Sequence, residues 1–202
     1  TDIKNYKTFE KIIPINKGWS SDKKYYIETE SNEKLLLRTA NISEYDKKEY
    51  EFEMMKRLAE NDLPISQPVD FGICDNGKSV YTLFKWCEGE DAETVLPKLT
   101  ETEQYELGLK SGRILRQIHN LPAPSEQEDW EKRFNRKADR KIKSYRDCDI
   151  KIEGGDQMIA YLEENRHHLE GRPQCFQHGD YHVGNMVISP EGELYIIDFN
   201  RH

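Results

Sequence analysis

Polar and apolar positions change texture once along the chain. In the first third, short β-forming runs at residues 25–29 and 35–39 flank the turn residues Ser31-Asn32-Glu33, which predicts two paired strands. The loop Asn16-Lys17-Gly18-Trp19-Ser20-Ser21 precedes them. Helical spacing over about residues 44–60 predicts one inserted helix, opened by Ser43 with Asp46 three residues on, and stopped by Pro64 and Pro68. Residues 79–84 form a further strand, and Glu88-Gly89-Glu90-Asp91 breaks the pattern.

Beyond that break the spacing is helical. Thr100 and Glu103 form a capping box ahead of a helix through Leu107, Leu115 and Ile118, on which Gly108 and Gly112 are expected to allow close packing. A helix over about 130–146 carries Phe134, Ala138, Ile142 and Tyr145 on one stripe, and another spans about 156–169. The chain closes with a hairpin, residues 186–189 and 194–198 around Pro190-Glu191-Gly192-Glu193.

The 202 residues suffice for one domain or a two-lobed unit. With 30 Lys+Arg against 38 Asp+Glu, the net charge of −8 argues against general affinity for nucleic acid or anionic membrane. The local exception is residues 132–146, with eight basic side chains and one acid, Asp139; the apolar stripe makes this the solvated face of a packed helix. No apolar run has the length of a membrane span, and residues 1–11 lack the hydrophobic stretch of a signal peptide. Cys74, Cys87, Cys148 and Cys175 are widely spaced, which suits reduced thiols and a cytoplasmic protein.

The chemistry concentrates in His178-Gly179-Asp180-Tyr181-His182-Val183-Gly184-Asn185 and Ile196-Ile197-Asp198-Phe199. Asp180 to Asn185 has the H-x-D-x-x-x-x-N spacing of the kinase catalytic loop, where the Asp receives the acceptor hydroxyl's proton and the Asn holds Mg²⁺. Asn185 begins one arm of the hairpin and Asp198 ends the other. Antiparallel pairing therefore returns both oxygen ligands to the open end, beside Asp180. His178 is expected to orient the loop through backbone hydrogen bonds rather than to move protons. A different reading takes His178, Asp180 and His182 as the H-x-D-x-H metal set of a hydrolase.

HGDYHVGN with IIDF resembles the aminoglycoside phosphotransferase and choline kinase-like family of small-molecule kinases. The resemblance runs from the early strands to the last residue. It implies an α+β, protein-kinase-like fold: an N-terminal nucleotide-binding lobe, 1–88, and a helical C-terminal lobe, 89–202, with ATP at the hinge. The implied activity is ATP- and Mg²⁺-dependent transfer of phosphate to a hydroxyl of a small molecule, with Asp180 as base and Asn185 and Asp198 as metal ligands. Arg38 stands where the family has a strand lysine, with Glu51 as its carboxylate partner, and Gly18, Ser20 and Ser21 cover the phosphates. Backbone groups near Lys85 and Cys87 face the adenine. The family's next helical segment, which builds much of the acceptor pocket, does not follow Phe199-Asn200-Arg201-His202, so the chain is expected to be truncated. A nucleotide-binding module without catalysis is the rival reading.

Overall fold

The sheet of the first third is wider than the hydrophobic pattern predicts. The computed structural model describes residues 2–16 and 21–199. Among them β1 (Phe9–Ile15), β2 (Lys23–Thr29), β3 (Lys34–Asn41), β4 (Pro68–Cys74) and β5 (Ser79–Lys85) form an antiparallel sheet in the order β1-β2-β3-β5-β4. The predicted strands correspond to β2, β3 and β5. The two unpredicted strands are the edges. β1 is exposed at most positions, so it shows no alternation, and it tolerates Pro14 as only an edge strand can. β4 opens on Pro68 itself, with a register shift before Asp70. Central β5 is buried at five consecutive positions.

Helix α1 (Tyr45–Ala59) follows β3 as predicted, but Ser43 is not its cap: the Ser43 N–H donates to Asn41 Oδ1 at 2.9 Å, in a short turn that precedes the helix. α1 buries Phe52, Met55 and Leu58. Phe52 stacks on Phe71 of β4 at 5.6 Å and meets Phe84 of β5 at 5.9 Å, so the helix covers the β4–β5 end of one sheet face. On the opposite face Ile27, Leu35, Leu37, Tyr81 and Leu83 form a core with Ile3. The β2–β3 end of the first face carries Lys24, Tyr26, Leu36 and Arg38, all half-buried.

A small second sheet, β6 (Glu90–Asp91), β7 (Met186–Ile188) and β8 (Leu194–Ile196), contains the predicted hairpin. Gly89, at the break before β6, has φ of 146°, and a Cβ there would stand 2.2 Å from Ile188 O; only glycine fits. The hairpin is fastened to the first sheet's side of the molecule where Ile196 N donates to Pro64 O at 2.9 Å. The one-turn helix α2 (Ala92–Val95) precedes α3 (Glu101–His119), whose capping box forms as expected: Thr100 N to Glu103 Oε2 at 2.8 Å and Glu103 N to Thr100 Oγ1 at 3.3 Å. The expectation for its glycines is corrected. An added Cβ meets nothing within 4 Å at Gly108 or Gly112, because Ile114 and Ile118, not the glycines, lie on the buried stripe.

The chain divides into two compact units, residues 1–119 with 177–202, and residues 120–176. In the second, α4 (Trp130–Asp147) buries Ile142 with Phe134, Ala138 and Tyr145 half-buried beside it, and its basic side chains largely face solvent. α5 (Gly155–Glu164) is shorter than predicted; the chain tightens into a 3₁₀ turn at Arg166–Leu169. Arg166 ties this end to α4 through Asn135 at 3.0 Å and Asp139 at 2.6 Å. The architecture is two-lobed α+β. Among the described residues no helix is long and apolar enough to cross a membrane.

Candidate active site

His178 is the buried anchor of the loop before the hairpin, 1% exposed. Its Nε2 lies 3.0 Å from Ile197 O, and its Nδ1 accepts from Asp180 N at 3.3 Å. A carbonyl can only accept and an amide N–H can only donate, which fixes the neutral tautomer with the proton on Nε2. Burial pushes the His178 imidazole below its ordinary pKa, and the bond to Ile197 O and the charges of Asp198 and Asp180 counter only part of that. Phe199 packs against the ring at 4.4 Å. His178 therefore orients the loop, as the sequence predicts.

That one side chain binds the loop to the strand end carrying Asp198. Ile197 N donates to Asn185 O at 3.0 Å, closing the open end of the hairpin. Asn185 Nδ2 donates to Asp180 O at 3.0 Å. Asp180, Asn185 and Asp198 are thus linked through the backbone carbonyls of Asp180, Asn185 and Ile197 and one imidazole, at the hairpin end where antiparallel pairing predicts them. Asp198 has φ of 66°, a left-handed conformation uncommon outside glycine.

The hydrolase reading loses its first ligand, His178. Both nitrogens of His178 are engaged by backbone, and His182 Nδ1 accepts from Gly184 N at 3.1 Å. Among the described residues no three or more His, Cys, Asp or Glu side chains are grouped to hold a metal. The Asn185 and Asp198 pair fits a different ion. With Nδ2 of Asn185 bonded to Asp180 O, its Oδ1 accepts no hydrogen bond among the described residues, and the Asp198 side chain is one-third exposed (34%). Two hard oxygens, with other positions left to phosphate and water, suit Mg²⁺.

From the sheet side, Arg38 of β3 reaches this end: Nη1 is 3.4 Å from Asp198 Oδ1. The same guanidinium holds Asp22, with Nη2 at 2.9 Å and Nε at 3.2 Å from Oδ2. Lys48 of α1, 8% exposed, donates to that same Oδ2 at 2.8 Å and to Glu51 Oε2 at 3.1 Å. Burial alone would raise the Asp22 carboxyl; Lys48 and Arg38 outweigh it and bring the group below the usual carboxylate value.

The expected pairing of Arg38 with Glu51 is corrected: the cation on Glu51 is Lys48, one turn earlier on the same helix, and the carboxylates on Arg38 are Asp22 and Asp198. Asp22 and Lys48 were not predicted. The available signal was Lys48 on the apolar stripe of Phe52 and Met55, where an unpaired ammonium would be costly.

Gly18 and Ser20 lie outside the described residues; Ser21 is exposed, immediately before Asp22. Lys85 N donates to Gln67 O at 2.8 Å, and its carbonyl accepts from Ser66 Oγ at 2.6 Å. Cys87 is half-buried, and burial pushes its thiol up to about 11. Among the described residues its backbone N–H and C=O make no hydrogen bond.

Residues 11–201 match the phosphotransferase enzyme family. Solved structures of similar fold include the aminoglycoside-3'-phosphotransferase of type VIII, at TM-score 0.60 and 19% identity over 97% of this chain and 73% of that one. The streptomycin–ATP–APH(2")-IIa ternary complex aligns at TM-score 0.65 and 17% identity, over 95% of this chain and 66% of that one. A putative fructosamine-3-kinase from Haemophilus somnus 129PT aligns at 0.61 and 11%, over 94% and 65%. No curated protein matches the chain. With the family matched over nearly the whole sequence, and the loop, hairpin and sheet assembled as its fold implies, the chain belongs to the phosphotransferase enzyme family.

Proposed function

We propose that this protein moves the γ-phosphate of ATP to a hydroxyl of a small molecule, an aminoglycoside or another amine-bearing alcohol. The observation that carries the reading is the convergence on one hairpin end of the Asp180 loop, Asn185, Asp198 and the cation Arg38. Residues 1–88 form the nucleotide lobe and 89–202 the lobe that performs transfer. Tyr26 and Leu36, on the open sheet face beside Arg38, offer an apolar surface for adenine, and the backbone of Cys87 has hydrogen-bonding groups to spare; Lys85 and Ser21 flank the nucleotide.

Asp180 orients the acceptor hydroxyl and takes its proton, and its main chain is locked from both sides so that the carboxylate is presented in one place. Asn185 and Asp198 hold Mg²⁺, which neutralises charge on the phosphates when bound. Arg38 supplies a permanent cation to the phosphates. The left-handed Asp198 fits such a role, since strained residues cluster at functional sites. Cys74, Cys87 and Cys148 are free thiols, which suits the cytoplasm.

Nucleotide binding without transfer is the second reading, favoured by Arg38, a fixed planar cation already engaged by two carboxylates. A γ-labelled ATP screen across aminoglycosides, choline, amino alcohols and sugars separates the two. Label on an acceptor establishes transfer; a rise in melting temperature with Mg²⁺-ATP and no labelled product leaves the binding module.

A further inference from the structure

The site contains a cation that neither the motifs nor the family pattern point to. Lys24 of β2 is the Cα partner of Arg38 in the antiparallel β2–β3 pair. Directly opposed residues project from the same face with Cβ atoms about 5 Å apart. Lys24 therefore stands beside Arg38 on the face that reaches the end of the hairpin. Its neighbour Lys23 points to the other side and is exposed.

Three cations and three carboxylates gather here, but the pairing is uneven. Arg38 is held by Asp22 and Asp198, and Lys48 by Asp22 and Glu51. Among the described residues no carboxylate lies within ion-pair distance of the Lys24 ammonium. Half-burial lowers its pKa, and the charges of Arg38 and Lys48 lower it further, while Asp198 and Asp22 act in the opposite sense. A half-buried, unpaired ammonium is costly to maintain, and the cost is relieved when an anion arrives.

We propose that Lys24 is a direct ligand of the nucleotide's terminal phosphates, the flexible partner to the fixed guanidinium of Arg38. The inference rests on the nucleotide reading above and adds to it a second cation, beside Arg38, that tells a triphosphate from an unphosphorylated nucleoside. Arg38 and Lys48 are committed to protein carboxylates; Lys24 is not. Its ammonium has three rotatable donors on a long stem and can follow phosphate oxygens that a planar fork held by two carboxylates cannot.

The test is a binding series by calorimetry, with Mg²⁺-ATP, AMP and adenosine, on the 202-residue chain and on Lys24→Gln, Lys24→Arg and Lys23→Gln. A lost charge-assisted hydrogen bond predicts about tenfold or greater weakening for Mg²⁺-ATP in Lys24→Gln. Adenosine affinity should stay unchanged, Lys24→Arg should recover part of the loss, and Lys23→Gln, the same charge change on the opposite face, should match wild type. Acylation of surface amines in wild type, read by mass spectrometry, needs no variant: Mg²⁺-ATP should protect Lys24 and adenosine should not.

Wild-type affinity for Mg²⁺-ATP in Lys24→Gln, equal losses in Lys24→Gln and Lys23→Gln, or no protection of Lys24 would overturn this role and leave the nucleotide site standing. Failure of folded wild type to bind any nucleotide would overturn both.

Discussion

Arg38 Nη1 and Asp198 Oδ1 meet at 3.4 Å across 160 residues of sequence, so a strand cation and the carboxylate at the end of the hairpin are brought together by the fold. Arg38 spans two carboxylates at once because its guanidinium is a fork, with Nε and Nη2 on Asp22 and Nη1 on Asp198.

Arg38→Lys should break that span, since a single ammonium cannot replace a planar fork. We expect Mg²⁺-ATP affinity to fall by about tenfold while the fold is retained. Calorimetry with far-ultraviolet circular dichroism checks both; unchanged affinity would separate Arg38 from the phosphates.

Asp22→Asn removes the one negative charge shared by Arg38 and Lys48. Asp22 and Lys48 side chains are only 5% and 9% exposed, so two cations would be left poorly compensated. Breaking a buried pair in this way costs about 3 kcal/mol, to be measured by urea unfolding. A loss below about 1 kcal/mol, the range of an exposed pair, would show that the cluster is solvated.

Much of this site was legible in the sequence. Asp180, Asn185 and Asp198 could be placed together because a hairpin of known turn length dictates which residues share its open end, and His178 could be given an orienting role because Asp180 already filled the acid–base position. Asp22 and Lys48 were not legible in the same way. Their partnership joins the residue before β2 to the first turn of α1, a tertiary contact that no local pattern encodes. The edge strands β1 and β4 escaped for a related reason: exposed or proline-led strands lack both the inward-facing apolar positions of β2 and β3 and the continuous buried run of β5. The glycines of α3 misled because a glycine in a helix signals permitted approach, not approach itself.

His178 carries a pH signature. Its folded pKa is depressed, so the unfolded chain binds the proton more readily. Its contribution to stability is present above the unfolded value of about 6.5 and is lost as pH falls through that value toward the folded pKa. Protonating Nδ1 would also break the bond from Asp180 N. Urea midpoints from pH 8 to pH 5 should fall more steeply for wild type than for His178→Gln; parallel curves would exclude this histidine as the source.

Gly108→Ala and Gly112→Ala should each stabilise the protein. Both sites are open on the exposed side of α3, and replacing a helical glycine with alanine is worth about 0.5–1 kcal/mol. Thermal unfolding of the single and double variants tests this. Destabilisation at either position would mean that another surface covers it.

The most direct test of the account is transfer of the labelled γ-phosphate from Mg²⁺-ATP to small-molecule hydroxyls, run in parallel on wild type and Asp180→Ala, with nucleotide affinity measured on the same samples. Wild type should label at least one acceptor only when Mg²⁺ is present, and Asp180→Ala should bind nucleotide nearly as well yet label none. Equal turnover in Asp180→Ala, or nucleotide binding by wild type without transfer to any acceptor, would contradict it.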